Sequence, residues 1–248
     1  MSPAAARMRA AGAQAGEVRA AEPDPAEVES RTAGGNRIGI LGGTFDPPHI
    51  GHPWLATLAA DALGLTRVLL MPAARPPHKG TQPISNAADR VMMTRLAIAG
   101  DPALDLTLVE MERPGPSYTV ESLVELRASL GGDAALVLIM AADSLAEIDT
   151  WREPDRLLEL AEWAVGPRPG TDLPDRATLR ERYGPNESRI HLLDGPSLDV
   201  SSSEIRRRVA AGRSIRYLVP RAVAELIADR GLYRGPQEEQ SSRSAPRG

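Results

Sequence analysis

The chain of 248 residues has no cysteine, one phenylalanine and only 3% aromatic residues. Without cysteine it can form no disulfide, thiol nucleophile or cysteine metal site, which suits a reducing cytosol, and a cytoplasmic location is expected. Long apolar runs are also missing. The longest, Ala134–Ala142, is far short of the ~20 residues a membrane helix needs. No apolar segment near the start resembles a secretory core, so no membrane partner is expected. A strong excess of charge of either sign is missing too: a net charge of −4 gives no global attraction for nucleic acid, and any phosphate binding has to be local. Histidine is scarce, with four in the chain.

The 42% of hydrophobic residues and 25% of charged ones suffice for one substantial core. Residues 1–36 are alanine-rich with mixed charges and read as a disordered extension, or as sequence ahead of a start at Met8 or later. The tail 235–248, built from Pro, Gln, Glu, Ser, Arg and Gly, reads the same way. Both are expected to be dispensable, leaving one domain over 37–234.

Within it strand and helix patterns alternate. Strands are predicted at Ile38–Leu41, Val68–Met71, Leu106–Val109, Leu136–Met140, Trp163–Val165 and Ile190–Leu192. Helices are predicted at Ile50–Leu63, at Ala87–Ala99 with Ala88, Val91, Met92, Leu96 and Ala99 inward, and at Val120–Leu130 with Val120, Leu123 and Val124 inward and Thr119 as cap. A closing helix is predicted at Pro220–Arg230. The expected fold is α/β: a Rossmann-like, doubly wound parallel sheet with helices on both faces and a small helical C-terminal part. Ligands of such sheets sit beyond the carboxyl ends of the strands.

One stretch there carries chemistry. Gly42–His52 reads Gly-Gly-Thr-Phe-Asp-Pro-Pro-His-Ile-Gly-His and joins the first strand to the first helix. The glycines free the turn from side-chain constraints, and Pro47 and Pro48 suit a chain entering a helix. The unpaired N–H groups and positive dipole of that helix start, with His49 and His52 three residues apart, make a phosphate site. Two histidines alone are a poor metal site, and neither the dinucleotide fingerprint nor the P-loop pattern is matched. A pair of ordinary core histidines would leave the concentration of Gly, Pro and polar residues unexplained.

This stretch resembles the signature of the His-x-Gly-His nucleotidyltransferases, and in this form that of the bacterial nicotinate-nucleotide adenylyltransferases. The resemblance extends over roughly Arg37–Tyr233 through further motifs. Pro76-Pro77-His78-Lys79 looks like the family's phosphate-closing loop, although a basic loop is by itself more often a solvated surface. Ser117-Tyr118-Thr119 resembles the border of its pyridine pocket. Ala141-Ala142-Asp143-Ser144 matches its Gly-Ala-Asp-Ser with alanine at the first position. Trp151 would stack on a heteroaromatic ring, Pro167–Gly170 matches an Arg-Pro-Gly element, and Val200–Arg206 matches Ile-Ser-Ser-Thr-x-Ile-Arg with Ser203 for threonine. In this last motif Ser201 and Glu204 also have capping-box spacing.

The resemblance implies adenylyl transfer from ATP to nicotinate mononucleotide, giving deamido-NAD and pyrophosphate. His49, His52, Lys79 and Arg206 would be catalytic. Gly42, Gly43, Thr44, Phe45, Gly51, Asp143, Ser202 and Ser203 would join His49, His52 and Arg206 in binding ATP. Thr44, Lys79, Ser85, Asn86, Tyr118, Thr119, Trp151 and Arg168 would bind the mononucleotide. Magnesium would arrive with ATP, with no metal site in the protein. No arginine or lysine stands beside Ser117–Thr119 in sequence, so N–H groups around Ser85–Ala87 and Tyr118–Thr119 are the expected carboxylate donors. The rivals are a nicotinamide-mononucleotide or phosphopantetheine adenylyltransferase and a catalytically silent nucleotide-binding regulator. The intact His49, His52, Lys79 and Arg206 argue against silence. Oligomeric state is left open, a homo-oligomer included.

Overall fold

The computed structural model describes residues 36–76, 84–131 and 133–234. The terminal segments, His78 and Lys79 lie outside the described residues.

Strand β1 (Arg37–Gly43) leads to helix α1 (Gly51–Leu63), and β2 (Arg67–Pro72) to α2 (Ala87–Ile98). The short β3 (Leu104–Leu106) precedes one helical turn, α3 (Val109–Glu112), and then α4 (Thr119–Leu130). Next come β4 (Ala135–Ala141), α5 (Ala142–Ala146), α6 (Pro154–Leu160), β5 (Glu162–Gly166), α7 (Arg176–Tyr183) and β6 (Ile190–Leu192). Helices α8 (Ser202–Ala210) and α9 (Arg221–Asp229) close the described chain.

All six strands are parallel, in the order β3-β2-β1-β4-β5-β6. The chain winds outward one way from β1 and the other way from β4, so the switch point lies between these two, where Ile38 faces Leu136 and Leu41 faces Ile139. A crevice opens above the carboxyl ends at such a point.

Alternation along the central strands sorts side chains onto two buried faces. Ile38, Ile40, Leu136, Leu138, Met140 and Trp163 pack against α4 to α7. Leu41, Val68, Leu70, Val137, Ile139 and Ala164 pack on the other side against α1, whose Ala56 and Ala59 are fully buried. Alanine there lets the helix axis approach the sheet. A third cluster joins Met93 of α2 to Val200, Ile205, Val219, Val223 and Ile227, and this is the small C-terminal helical part.

Three expectations need correction. Strand β3 ends at Leu106, and Val109 begins a helical turn: the apolar run Leu106–Val109 spans a strand end and a helix start. In α2 the buried residues are Asp89, Arg90, Met93, Thr94 and Ile98, while Ala88, Met92 and Ala99 are exposed. That helix turns a polar face inward because Arg90 is hydrogen-bonded to the loops it covers. In α4, Val124 is 41% exposed and Leu126 takes the inward place, while Thr119 lies inside the helix and the N-cap is Tyr118, with no side-chain cap bond.

Candidate active site

The chain leaves β1 through an unusual turn. Its left-handed residue is Phe45 (φ 49°), not either glycine, a conformation that costs a side-chain-bearing residue of order 1–3 kcal/mol. The Phe45 ring is buried and sits edge-on to His52 at 4.9 Å, so packing offsets the strain. Gly42 is needed for neither torsion nor packing, since an added Cβ would meet nothing closer than Met71 Cε at 3.6 Å. It is exposed on the cavity wall, and its bareness leaves space for a ligand. At Gly51 a Cβ would lie 3.1 Å from the His49 ring, which is why a glycine separates Ile50 from His52.

The two histidine rings stack with centroids 3.8 Å apart. His52 Nδ1 accepts the His49 backbone N–H at 3.0 Å, so in the neutral ring the proton sits on Nε2. The helix start is less free than expected: Ile50 N–H donates to Leu218 O (3.1 Å) and His52 N–H to His49 O (2.9 Å). These two backbone donors are therefore already engaged within the protein.

Burial first, and the positive charge of Arg168 second, lower the His49 pKa from 6.5 to about 4, so the ring is neutral at pH 7. Because the folded pKa is depressed, the unfolded chain binds the extra proton between about pH 6.5 and 4. Stability from this group is complete above pH 6.5 and is lost as pH falls towards 4. The loss is about 3 kcal/mol. Denaturant titrations at pH 7 and pH 4 should show that increment in the parent and its absence in His49→Gln; the same decrement in both would assign it to other groups.

A carboxylate anchors the turn from behind. Asp46 is buried and accepts the Tyr233 hydroxyl (2.6 Å) and the Ser85 N–H (3.2 Å). Burial, then this hydrogen bond, pushes the Tyr233 phenol well above its ordinary range. Arg206 donates Nη1 to Asp46 O (2.7 Å) and Nη2 to Ser203 Oγ (3.2 Å), while Ser202 Oγ donates to Pro47 O (2.8 Å). The start of α8 is thus knitted to the signature turn. Ser201 Oγ accepts from Glu204 N at 3.2 Å, the expected N-cap bond, and the first N–H groups of any α-helix lack intrahelical partners and favour anions.

Arg90 holds the neighbouring loops. Fully buried, it donates to Ser85 O, Thr44 O, Ala73 O and Ala74 O at 2.6 to 3.1 Å. From the opposite side Ser117 Oγ accepts the N–H groups of Ala74 (2.9 Å) and Arg75 (3.1 Å). Glu110 lies beneath, accepting the Ser122 hydroxyl at 2.7 Å. Burial raises its pKa, partly offset by hydrogen bonds from Ser122 and Ser117.

These elements enclose a cavity of about 480 Å³ at the switch point. Of the expected site residues it is lined by Gly42, Gly43, Thr44, His49, Gly51, His52, Tyr118, Thr119, Asp143, Trp151, Arg168, Ser202 and Ser203. Arg168 crosses it, with Nη1 donating to Val200 O (3.1 Å) and Nε 3.4 Å from Asp143 Oδ2. Ala141 is in extended backbone (φ −88°), so its methyl imposes no torsional strain. Four expected residues are not on the wall. Phe45 is in the core beneath, Asn86 caps α2 by accepting from Asp89 N (2.8 Å), Ser85 serves Asp46, and Arg206 braces the wall from outside. Glu110, Glu147 and Arg152 line the cavity without having been expected there, and Ser117 and Ser144, which stand inside the quoted motifs, line it as well.

Comparison with known proteins agrees with this geometry. Residues 40–208 match the cytidylyltransferase-like family. Over 199 residues the chain is 47% identical to a probable nicotinate-nucleotide adenylyltransferase of Thermomicrobium roseum, covering 80% of this chain and 92% of the relative. The chain belongs to the nicotinate-nucleotide adenylyltransferase family. A Thermus thermophilus member, also named probable nicotinate-nucleotide adenylyltransferase, is 45% identical over 198 residues, covering 80% of this chain and 100% of the relative. Among solved structures the fold is shared with Plasmodium falciparum nicotinic acid mononucleotide adenylyltransferase complexed with NaAD, at TM-score 0.67 and 18% identity, covering 80% of this chain and 97% of that one. No helix among the described residues is long and apolar enough to cross a membrane.

Proposed function

We propose that this cavity binds ATP and nicotinate mononucleotide together and transfers the adenylyl group between them, yielding deamido-NAD and pyrophosphate for NAD synthesis in the cytoplasm. One observation carries the reading: the β1 turn, the β4 and β5 ends and the α8 start converge on a single cavity that is lined by His49, His52, Arg168 and the α8 serines together with Tyr118 and Trp151.

The nucleophile is a phosphate oxygen of the mononucleotide, already anionic at neutral pH, so no general base is required. It attacks the α-phosphorus of ATP; the bond from that phosphorus to the bridging oxygen breaks, and pyrophosphate leaves with the electron pair. Catalysis reduces to alignment and charge. His52 Nε2–H, Ser202, Ser203 and the α8 start hold the triphosphate, with Lys79 as a further cation and Arg206 bracing the serines. His49, neutral in the free protein, gains a proton more readily once phosphate charge lies beside it. Trp151 stacks on the pyridine ring and Arg168 supplies positive charge at the strand ends.

The donor set fits magnesium brought by the nucleotide. No cluster of three His, Asp or Glu capable of holding a metal occurs among the described residues, and the Thr44, Ser202 and Ser203 hydroxyls on the wall are hard oxygens suited to the water shell of such an ion. Magnesium would supply charge neutralisation on the phosphates. Pyrophosphate release with ATP and a panel of nicotinate mononucleotide, nicotinamide mononucleotide and phosphopantetheine tests the reading. Release with the first above the others supports it; release only with phosphopantetheine, or none with any, would overturn it.

A further inference from the structure

We infer that Arg152 is the specificity-determining residue for the acid form of the mononucleotide, supplying the positive charge that distinguishes a pyridine carboxylate from a carboxamide. The inference rests on the reading of the cavity as a pyridine-nucleotide site.

Neighbours along the sequence give no cation at Ser117–Thr119, but the fold brings one. Arg152 follows Trp151 after the turn beyond α5, lines the same cavity wall, and carries its guanidinium 4.6 Å from the centroid of the Tyr118 ring. The backbone donors expected around Ser85–Ala87 do not serve this wall. Ser85 N–H is engaged by Asp46, and Ala87 begins α2 behind the Asn86 cap. Arg152 therefore stands where a ring bordered by Trp151 and Tyr118 would present its substituent.

Its present partners are replaceable. Nη1 lies 3.2 Å from Glu121 Oε1 and Nε 3.6 Å from Glu153 Oε1, with the arginine side chain 50% exposed and both glutamates also open to water. Exposed ion pairs of this kind contribute little, and a guanidinium has five N–H donors, so a carboxylate on the ring can be accepted without abandoning both. Stacking on Tyr118 holds the planar fork in place. Of the other acidic groups lining the cavity, Glu110 is buried, hydrogen-bonded by Ser122 and resists charging, Asp143 is paired with Arg168, and Glu147 is exposed to screening water. A carboxamide offers the guanidinium a neutral carbonyl at best, and its NH₂ faces donors.

The test is kcat/KM for nicotinate and nicotinamide mononucleotides at saturating ATP-magnesium, in the parent, Arg152→Gln and Arg152→Lys. The acid-to-amide ratio should fall about tenfold in Arg152→Gln, through loss on the acid alone, the scale of one hydrogen bond to a charged group. Arg152→Lys should recover part of it. A merely structural role would depress both substrates alike, and an unchanged ratio in Arg152→Gln would overturn the assignment while leaving the adenylyltransferase reading standing. A parent inactive with both mononucleotides would instead sink the cavity reading and this inference with it.

Discussion

Replacing His52 with alanine should lower turnover by about 10²–10³-fold while leaving the fold intact, the usual scale for deleting one preorganised electrostatic contact. The ring is held in place before any ligand arrives, by the His49 N–H on Nδ1 and by the edge of Phe45, so it needs little reorganisation during the reaction. Because phosphate charge builds up as pyrophosphate departs, the loss should fall on kcat more than on KM for ATP. Arg206→Ala is expected in the same range by a different route. It does not line the cavity but ties Ser203 to the carbonyl of Asp46, and its removal frees the α8 start to drift from the signature turn. Steady-state kinetics on variants with parental circular dichroism would decide; folded variants of parental kcat would dismiss the phosphate site.

The second large effect concerns stability. Arg90→Met should destabilise the protein by about 3–5 kcal/mol, the cost of removing one member of a buried polar network and leaving its partners unpaired. Four carbonyls now accept from this guanidinium, and methionine fills the space but offers none of them a donor. Asp46 would lose a nearby positive charge as well, since the two groups interact electrostatically. For a domain of this size the melting temperature should drop on the order of 10 °C. Calorimetry would measure it, and a shift within a degree or two would mean that water serves those carbonyls equally well.

Arg90 also shows where sequence reading stops. The strands at β1, β2, β4 and β5 are legible as short apolar runs because each is buried on both faces. Helix α2 is legible as a helix but not in its orientation. A hydrophobic-face argument turns Met92 inward, whereas four hydrogen bonds turn Arg90 inward, and those acceptors lie in loops up to 46 residues away in sequence. The signature turn was readable because its chemistry is contiguous: Thr44, His49 and His52 reach the cavity from one short stretch. Arg152 was not, since only the fold places it over Tyr118, and Glu110 was hidden because a glutamate in a short helical turn looks like any solvated charge until Ser117 and Ser122 are seen around it. Phe45 misled in the opposite sense: contiguity with the motif suggested contact with ATP, while its ring supports His52 from the core.

The central claim is that the bond broken is the one between the α- and β-phosphorus groups of ATP, with the adenylyl half passing to nicotinate mononucleotide. ATP labelled at the α-phosphorus should place its label in a dinucleotide, and ATP labelled at the γ-phosphorus should place it in pyrophosphate, only when the mononucleotide is present. Label from the γ position appearing in the acceptor, or in free orthophosphate at the same rate with and without acceptor, would contradict the account.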